Sequence, residues 1–159
     1  MGEGALFLGH YTCDLRAGNL ALPAAWKHSV PASGVLTRGF ERNLLFFTAS
    51  AFDELYRTIA ALNLADPLAR TLARLILGSA HPLRVETGGG LALPERLAAQ
   101  AGLSRSAVVL GQGEYCEIWS AESWSEQQTM LDDTRENASR FASLALFTQP
   151  RHDIFQARQ

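Results

Sequence analysis

Gly18-Asn19-Leu20-Ala21-Leu22-Pro23 returns 71 residues later as Gly89-Gly90-Leu91-Ala92-Leu93-Pro94. The flanks return with it. After each Pro comes a short helical stretch, residues 24–28 and 95–100, then an apolar strand, 34–37 and 107–110. A second strand follows a turn in each copy, 44–47 and 116–119. Each then runs into a small polar segment and an aromatic, Thr48-Ala49-Ser50-Ala51-Phe52 and Ser120-Ala121-Glu122-Ser123-Trp124. Phe47 and Trp119 correspond at an offset of 72, as do Phe52 and Trp124. A chance six-residue match would not carry its neighbours in order at a near-constant spacing. The chain is therefore read as two copies of one β-rich unit.

Local chemistry agrees with that reading. Gly ahead of an alternating strand supplies a tight turn, and Leu-x-Leu places both leucines on one face. Pro23 and Pro94 end the strand and suit the first turn of a helix, while Gly102 is placed as the C-terminal cap of the helix in the second copy. Ser50 and Asp53 stand at capping-box spacing before Phe52, Leu55, Tyr56 and Ile59, which predicts an amphipathic helix over 51–62. Asp66-Pro67 opens a second helix, 67–77, with Leu68, Leu72, Leu75 and Ile76 on one face and Gly78 as its stop. A further helix is predicted over 122–142, followed by a polar tail. A repeat of ~45 residues is too small to hold a core alone. Two packed together give an α+β fold, a pseudo-symmetric β-barrel ringed by short helices. The expected organisation is a first repeat over 7–50, linker helices over 51–78, a second repeat over 79–122, and a C-terminal helix and tail over 123–159.

Composition narrows the function. The chain has 159 residues, a net charge of −2 and mean hydropathy near zero. The overall charge argues against a strongly basic nucleic-acid binder, and no apolar run approaches the ~18 residues of a membrane span. The first fifteen residues contain no Lys or Arg ahead of an apolar run, so no secretory signal is expected. Cys13 and Cys116 lie far apart and without metal-type spacing, which fits a reducing cytoplasm. Residues 1–78 carry seven Lys and Arg against six Asp and Glu, and residues 79–159 seven against ten, so the first half is the better candidate to meet a polyanion.

Other constellations point to structure. Gly88-Gly89-Gly90 is followed by a strand and by no Gly-Lys-Ser/Thr, and reads as a hairpin turn in preference to a phosphate cradle. His10, His28, His81 and His152 lack ligand spacing, so no metal is expected. Cys116 inside an apolar strand reads as a buried inert thiol. Trp119, Trp124, Phe46, Phe47 and Phe52 read as core or subunit-contact residues and not as a base-stacking platform. No nucleophile elbow, triad order or paired carboxylates argue for an enzyme, and no cofactor or small-molecule substrate is called for.

The distributed pattern is specific enough to carry a resemblance. Phe7-Leu8-Gly9, Leu36-Thr37-Arg38-Gly39, the linker from Asp66-Pro67 through Arg70 to Leu77-Gly78-Ser79-Ala80, and Val109-Leu110-Gly111-Gln112 with Glu117-Ile118-Trp119 resemble the MraZ family, built from two SpoVT-AbrB-type swapped-hairpin repeats. The likeness covers about residues 7–130. It implies a DNA-binding transcriptional regulator in the cytoplasm, associated with the nucleoid. It implies further a ring-shaped homo-oligomer that acts as a repressor on its own cell-division and cell-wall gene cluster, with double-stranded DNA as partner.

The family carries Asp-x-Lys-Gly-Arg before Leu-x-x-Pro in the first repeat and a similar Asp-x-x-Gly-Arg in the second, the Arg being the residue expected to reach DNA. Here those Arg positions are Asn19 and Gly90, the first loop is one residue short, and Glu86 stands where the second acid is expected. In the first loop the acid is absent, replaced by Leu15 or Arg16, or shifted to Asp14. A bidentate Arg on guanine is worth roughly 1–3 kcal/mol of discrimination. Asn19 can read adenine or donate to phosphate but releases no counterion, and Gly90 offers only backbone. Arg16 is the candidate replacement charge, with Lys27, Arg84 and Arg96 as flanking candidates. Two other readings stay open: an oligomeric interaction scaffold that has lost specific DNA binding, and an AbrB-type antitoxin.

Overall fold

A computed structural model describes residues 6–144. Eight strands form one all-antiparallel sheet in the order β5-β3-β4-β8-β7-β1-β2-β6. They are β1 (His10–Arg16), β2 (Asn19–Ala21), β3 (Ser33–Arg38), β4 (Asn43–Thr48), β5 (His81–Arg84), β6 (Gly90–Ala92), β7 (Ser106–Gly111) and β8 (Tyr115–Trp119). A bridge between Val85 and Leu91 brings the two ends of the sheet together into a nearly closed barrel. The expected α+β, AbrB-like barrel is the fold observed.

The repeats interlock. β1 of the first repeat pairs with β7 of the second, His10 opposite Leu110 through Asp14 opposite Ser106. Reciprocally, β5 of the second pairs with β3 of the first, Ser33 opposite Arg84. The register exposes a pseudo-two-fold axis. In β2–β6, Leu20 faces Leu91, flanked by Asn19 opposite Ala92 and Ala21 opposite Gly90. In β4–β8, Leu45 faces Glu117, with Leu44 opposite Ile118 and Phe46 opposite Cys116. Each repeat motif thus supplies half of two ladders that only the other copy completes.

Strand alternation explains the core. In β1, Tyr11, Cys13 and Leu15 turn inward while His10, Thr12, Asp14 and Arg16 are exposed. Every residue of β4 is buried; Phe47, on the face away from the barrel interior, stacks on Tyr115 at 5.0 Å and meets Phe52 edge-on at 6.0 Å. Inside, Phe7 packs on Trp26 at 5.1 Å and Phe46 at 6.4 Å. The Trp26 indole N–H donates to the Leu8 carbonyl oxygen at 2.7 Å, satisfying the one polar atom of that ring. Phe46, Phe47, Trp119 and Trp124 are all buried, so they offer no stacking platform.

Helices follow the sequence with corrections at their ends. The stretch after Pro23 is a single 3-10 turn, Ala24–Trp26. α1 (Ala49–Ala60) is capped by Thr48, whose hydroxyl accepts from the Ala51 N–H at 3.2 Å. The anticipated Ser50/Asp53 box does not form, because the helix starts two residues earlier and leaves both inside it. Asp53 pairs instead with Arg57 at 2.8 Å, one turn on. α2 (Pro67–Ile76) is capped by Asp66 as expected. Its buried positions, however, are Ala69 and Ile76, and Leu68 points to solvent. That rotation lets the Thr37 hydroxyl donate to the Ile76 carbonyl at 2.6 Å, tying the end of α2 to β3. α3 (Glu95–Gln100) ends in Gly102 at φ +68°, with the Leu103 N–H bonded to the Ala98 carbonyl, the predicted cap.

The described residues divide into two compact units between Trp124 and Ser125. The stretch read as one helix over 122–142 is two, α4 (Ala121–Asp132) and α5 (Thr134–Phe141). Asp133 leaves the helical region and caps α5 by accepting from Glu136 N–H, while the Asn137 amide donates to the Met130 and Leu131 carbonyls. The local hydrogen-bonding habits of Asp and Asn overrode the helical pattern. The tail beyond residue 144 lies outside the described residues.

Both cysteines are buried. Burial, and secondarily the Asp14 charge, pushes the Cys13 thiol from 9.0 up to about 11; burial pushes Cys116 up as well. Two outcomes follow. Unfolded thiols ionise near 9.0 while Cys13 stays protonated until about 11. Raising the pH through that interval therefore favours the unfolded chain, and the urea midpoint falls progressively from about pH 9 upward. Separately, Leu20→Ala and Leu91→Ala each cost about 2–5 kcal/mol in urea unfolding. The double variant departs from additivity because the two side chains face each other.

Candidate nucleic-acid interface

The barrel carries two hairpin tips, β1–β2 and β5–β6, joined through the antiparallel β2–β6 ladder, the first turn lying beside Leu93 at one end and the second beside Leu22 at the other. The first closes with two residues, Ala17 and Gly18, at φ +50° and +77°. Positive φ at both positions is the type I′ geometry whose twist suits a two-residue hairpin. The second tip has one residue more. Glu86 and Gly90 bracket Thr87-Gly88-Gly89, with Gly89 N–H donating to Glu86 O, Glu86 N–H donating to Gly90 O, and Gly89 at φ +83°. That is a turn followed by a left-handed glycine, the usual three-residue closure, and the triple glycine is a hairpin turn as read.

The length difference settles the alignment of the two loops. Arg16 faces Asn19 across the first hairpin as Glu86 faces Gly90 across the second. Arg16 therefore occupies the position of the second loop's acid, and Asp14 lies two residues earlier on the same strand face. Arg16 and Asp14 approach to 3.6 Å with side chains 85% and 71% exposed. Such a pair contributes little to stability, and the guanidinium is free to exchange partners.

Asn19 and Gly90 are brought together with Glu86. The Asn19 Nδ2 donates to Glu86 Oε2 at 2.8 Å, a bond between residues 67 positions apart. A Cβ at Gly90 would stand 2.6 Å from Asn19 Oδ1 and 2.9 Å from Glu86 Oε2. The amide and carboxylate thus occupy the space that a side chain at residue 90 would fill. Lys27 borders a groove of about 620 Å³ whose other wall includes Val85 and the Glu86–Gly89 turn. Arg84 ends β5 opposite Ser33, and Arg96 on α3 borders a smaller hollow of about 190 Å³ beside His81. Among the described residues, no hydrogen bond or ion pair joins Arg84 or Arg96 to the tips. Glu86, which the sequence reading placed only as a substituted acid, proves to be the partner of Asn19. Its signal was invisible in one dimension, since the bond exists only because β2 and β6 of different repeats are neighbours.

Among the described residues no group of three or more His, Cys, Asp or Glu could hold a metal ion, and no helix is long and apolar enough to cross a membrane.

Comparison with known proteins bears on both hairpins. A family profile described as "MraZ protein, putative antitoxin-like" matches residues 76–144. The transcriptional regulator MraZ of Herpetosiphon aurantiacus is 40% identical over 139 residues, covering 86% of this chain and 94% of the relative. That of Thermomicrobium roseum is 36% identical over 127 residues, covering 79% and 89%, and that of Rhodococcus jostii is 32% identical over 142 residues, covering 89% and 97%. With identity of this level spread over both repeats and the linker, the chain belongs to the MraZ family.

Proposed function

We propose that this protein is a DNA-binding transcriptional regulator that represses its own cell-division and cell-wall gene cluster, working in the cytoplasm on the nucleoid as a ring homo-oligomer. The observation that carries the reading is the similarity, over most of both chains, to relatives named transcriptional regulator MraZ. The repeats 7–50 and 79–122 act as the two halves of one reading unit. A two-stranded tip has the dimensions to enter a major groove ~12 Å wide, and two tips related by a pseudo-two-fold suit a duplex with the same symmetry.

Charge sets how such binding works here. Arg16 supplies the exposed cation beside Asn19, with Lys27 flanking the second tip and Arg84 and Arg96 further back. Glu86 opposes them, so each subunit holds DNA weakly. Ring assembly offsets this, because linked sites act at high effective concentration. The acid at the tip also favours a second reading, an oligomeric scaffold without sequence-specific DNA binding.

Mobility shift on the DNA upstream of the protein's own gene, across a salt series, separates the two. The regulator retards that DNA at nanomolar to low-micromolar protein, with an affinity that falls steeply with salt. No shift from the intact oligomer at low salt leaves the scaffold. Arg16→Ala weakens binding more than Lys27→Ala and lowers the salt slope by about one; equal or reversed losses remove Arg16 from its role. A monomer mass by light scattering contradicts the ring.

A further inference from the structure

We infer that Glu86 of the second repeat is a positioning residue for Asn19 of the first, locking its amide so that it distinguishes adenine from guanine. The inference rests on the DNA-binding reading above. It concerns which bases are read and by what device.

A free Asn amide is an ambiguous reader. In one orientation Oδ1 accepts from adenine N6–H while Nδ2 donates to N7. Turned by 180°, it presents Nδ2 where Oδ1 was and can donate to guanine O6. Oxygen and nitrogen differ little in size, so sterics alone do not choose. Here the choice is made from across the pseudo-two-fold. Glu86 Oε2 accepts one Nδ2 hydrogen at 2.8 Å, and the flipped amide would set Oδ1 against that carboxylate, two acceptors with no proton between them. The bond leaves free one Nδ2 hydrogen and Oδ1, the donor–acceptor pair that adenine requires and guanine does not match.

Gly90 makes the arrangement possible. Any Cβ there would lie at 2.6 Å from Oδ1 and 2.9 Å from Oε2, displacing one partner or the other. The absence of a side chain in one repeat and the reading side chain in its twin are therefore two parts of one device. Each barrel presents a single oriented amide, and the reading unit is asymmetric despite its symmetric fold.

The test starts from duplexes that the wild-type protein recovers from a random-sequence pool, each then re-measured with single A·T to G·C changes. Wild type shows one position where adenine is preferred by roughly 5- to 150-fold. Asn19→Ala abolishes that preference and leaves the salt slope unchanged, since a neutral side chain releases no counterion. Glu86→Ala lowers it by about 2- to 10-fold while overall affinity holds or rises, a carboxylate having been removed from beside the phosphates. In the Asn19→Ala background, Glu86→Ala changes base preference no further. Gly90→Ala gives the same relaxation by displacing one partner of the bond, with both polar residues left in the sequence. Full adenine preference in Glu86→Ala overturns the inference, as does an equal loss with Asn19 already removed. Failure of wild type to retain any duplex at low salt instead removes the DNA-binding reading itself, and the inference with it.

Discussion

The three-residue ladder in which Leu20 faces Leu91 is the contact on which the rest of the molecule depends. Both leucines are fully buried, and they join β2 and β6 where the pseudo-two-fold axis crosses the sheet. Without that ladder the hairpins β1–β2 and β5–β6 part. β1 and β5 are committed to the opposite repeats through β7 and β3, so parting them opens both halves together. A unit of ~45 residues cannot bury enough apolar surface alone, and interlocking makes one core out of two insufficient ones. The same ladder holds Asn19 and Glu86 within hydrogen-bonding distance, so the core and the candidate reading surface share one cause.

Much of this was legible in the chain because duplication writes itself twice. The Gly-x-Leu-Ala-Leu-Pro motif predicted β2 and β6, the turns before them and the helical turns after them. The apolar runs predicted β3, β4, β7 and β8. What was not legible were features decided by neighbours distant in sequence. Thr48 took the cap of α1 from Ser50 because β4 runs directly into the helix with no loop between. α2 turned Leu68 outward because Ile76 had to meet Thr37. Asn19 and Gly90 could be singled out from their positions after the turns, but the bond from Asn19 to Glu86 required knowing that β2 lies beside β6.

The two tips also show how a duplicated unit divides labour. A one-residue difference changes a type I′ turn into a three-residue closure and puts Arg16 where its twin has Glu86. One tip is thereby cationic with an amide beside it, and the other is acidic with open backbone. Opposite charges at equivalent positions cancel at long range but leave a local gradient across the pair.

At the far end of the axis, symmetry is broken again where Leu45 faces Glu117. Glu117 is half-buried, and burial holds its carboxyl above the usual range, while the Trp119 indole N–H donates to it at 2.7 Å and partly counters that rise. Were β8 to meet a second β8, two half-buried carboxylates would confront each other at the centre of the ladder, a costly encounter. Divergence at this one position makes self-recognition of the second repeat unfavourable and leaves β4 as its suitable mate. The two repeats are in this way no longer interchangeable, and their tandem linkage keeps the compatible pair of strands together.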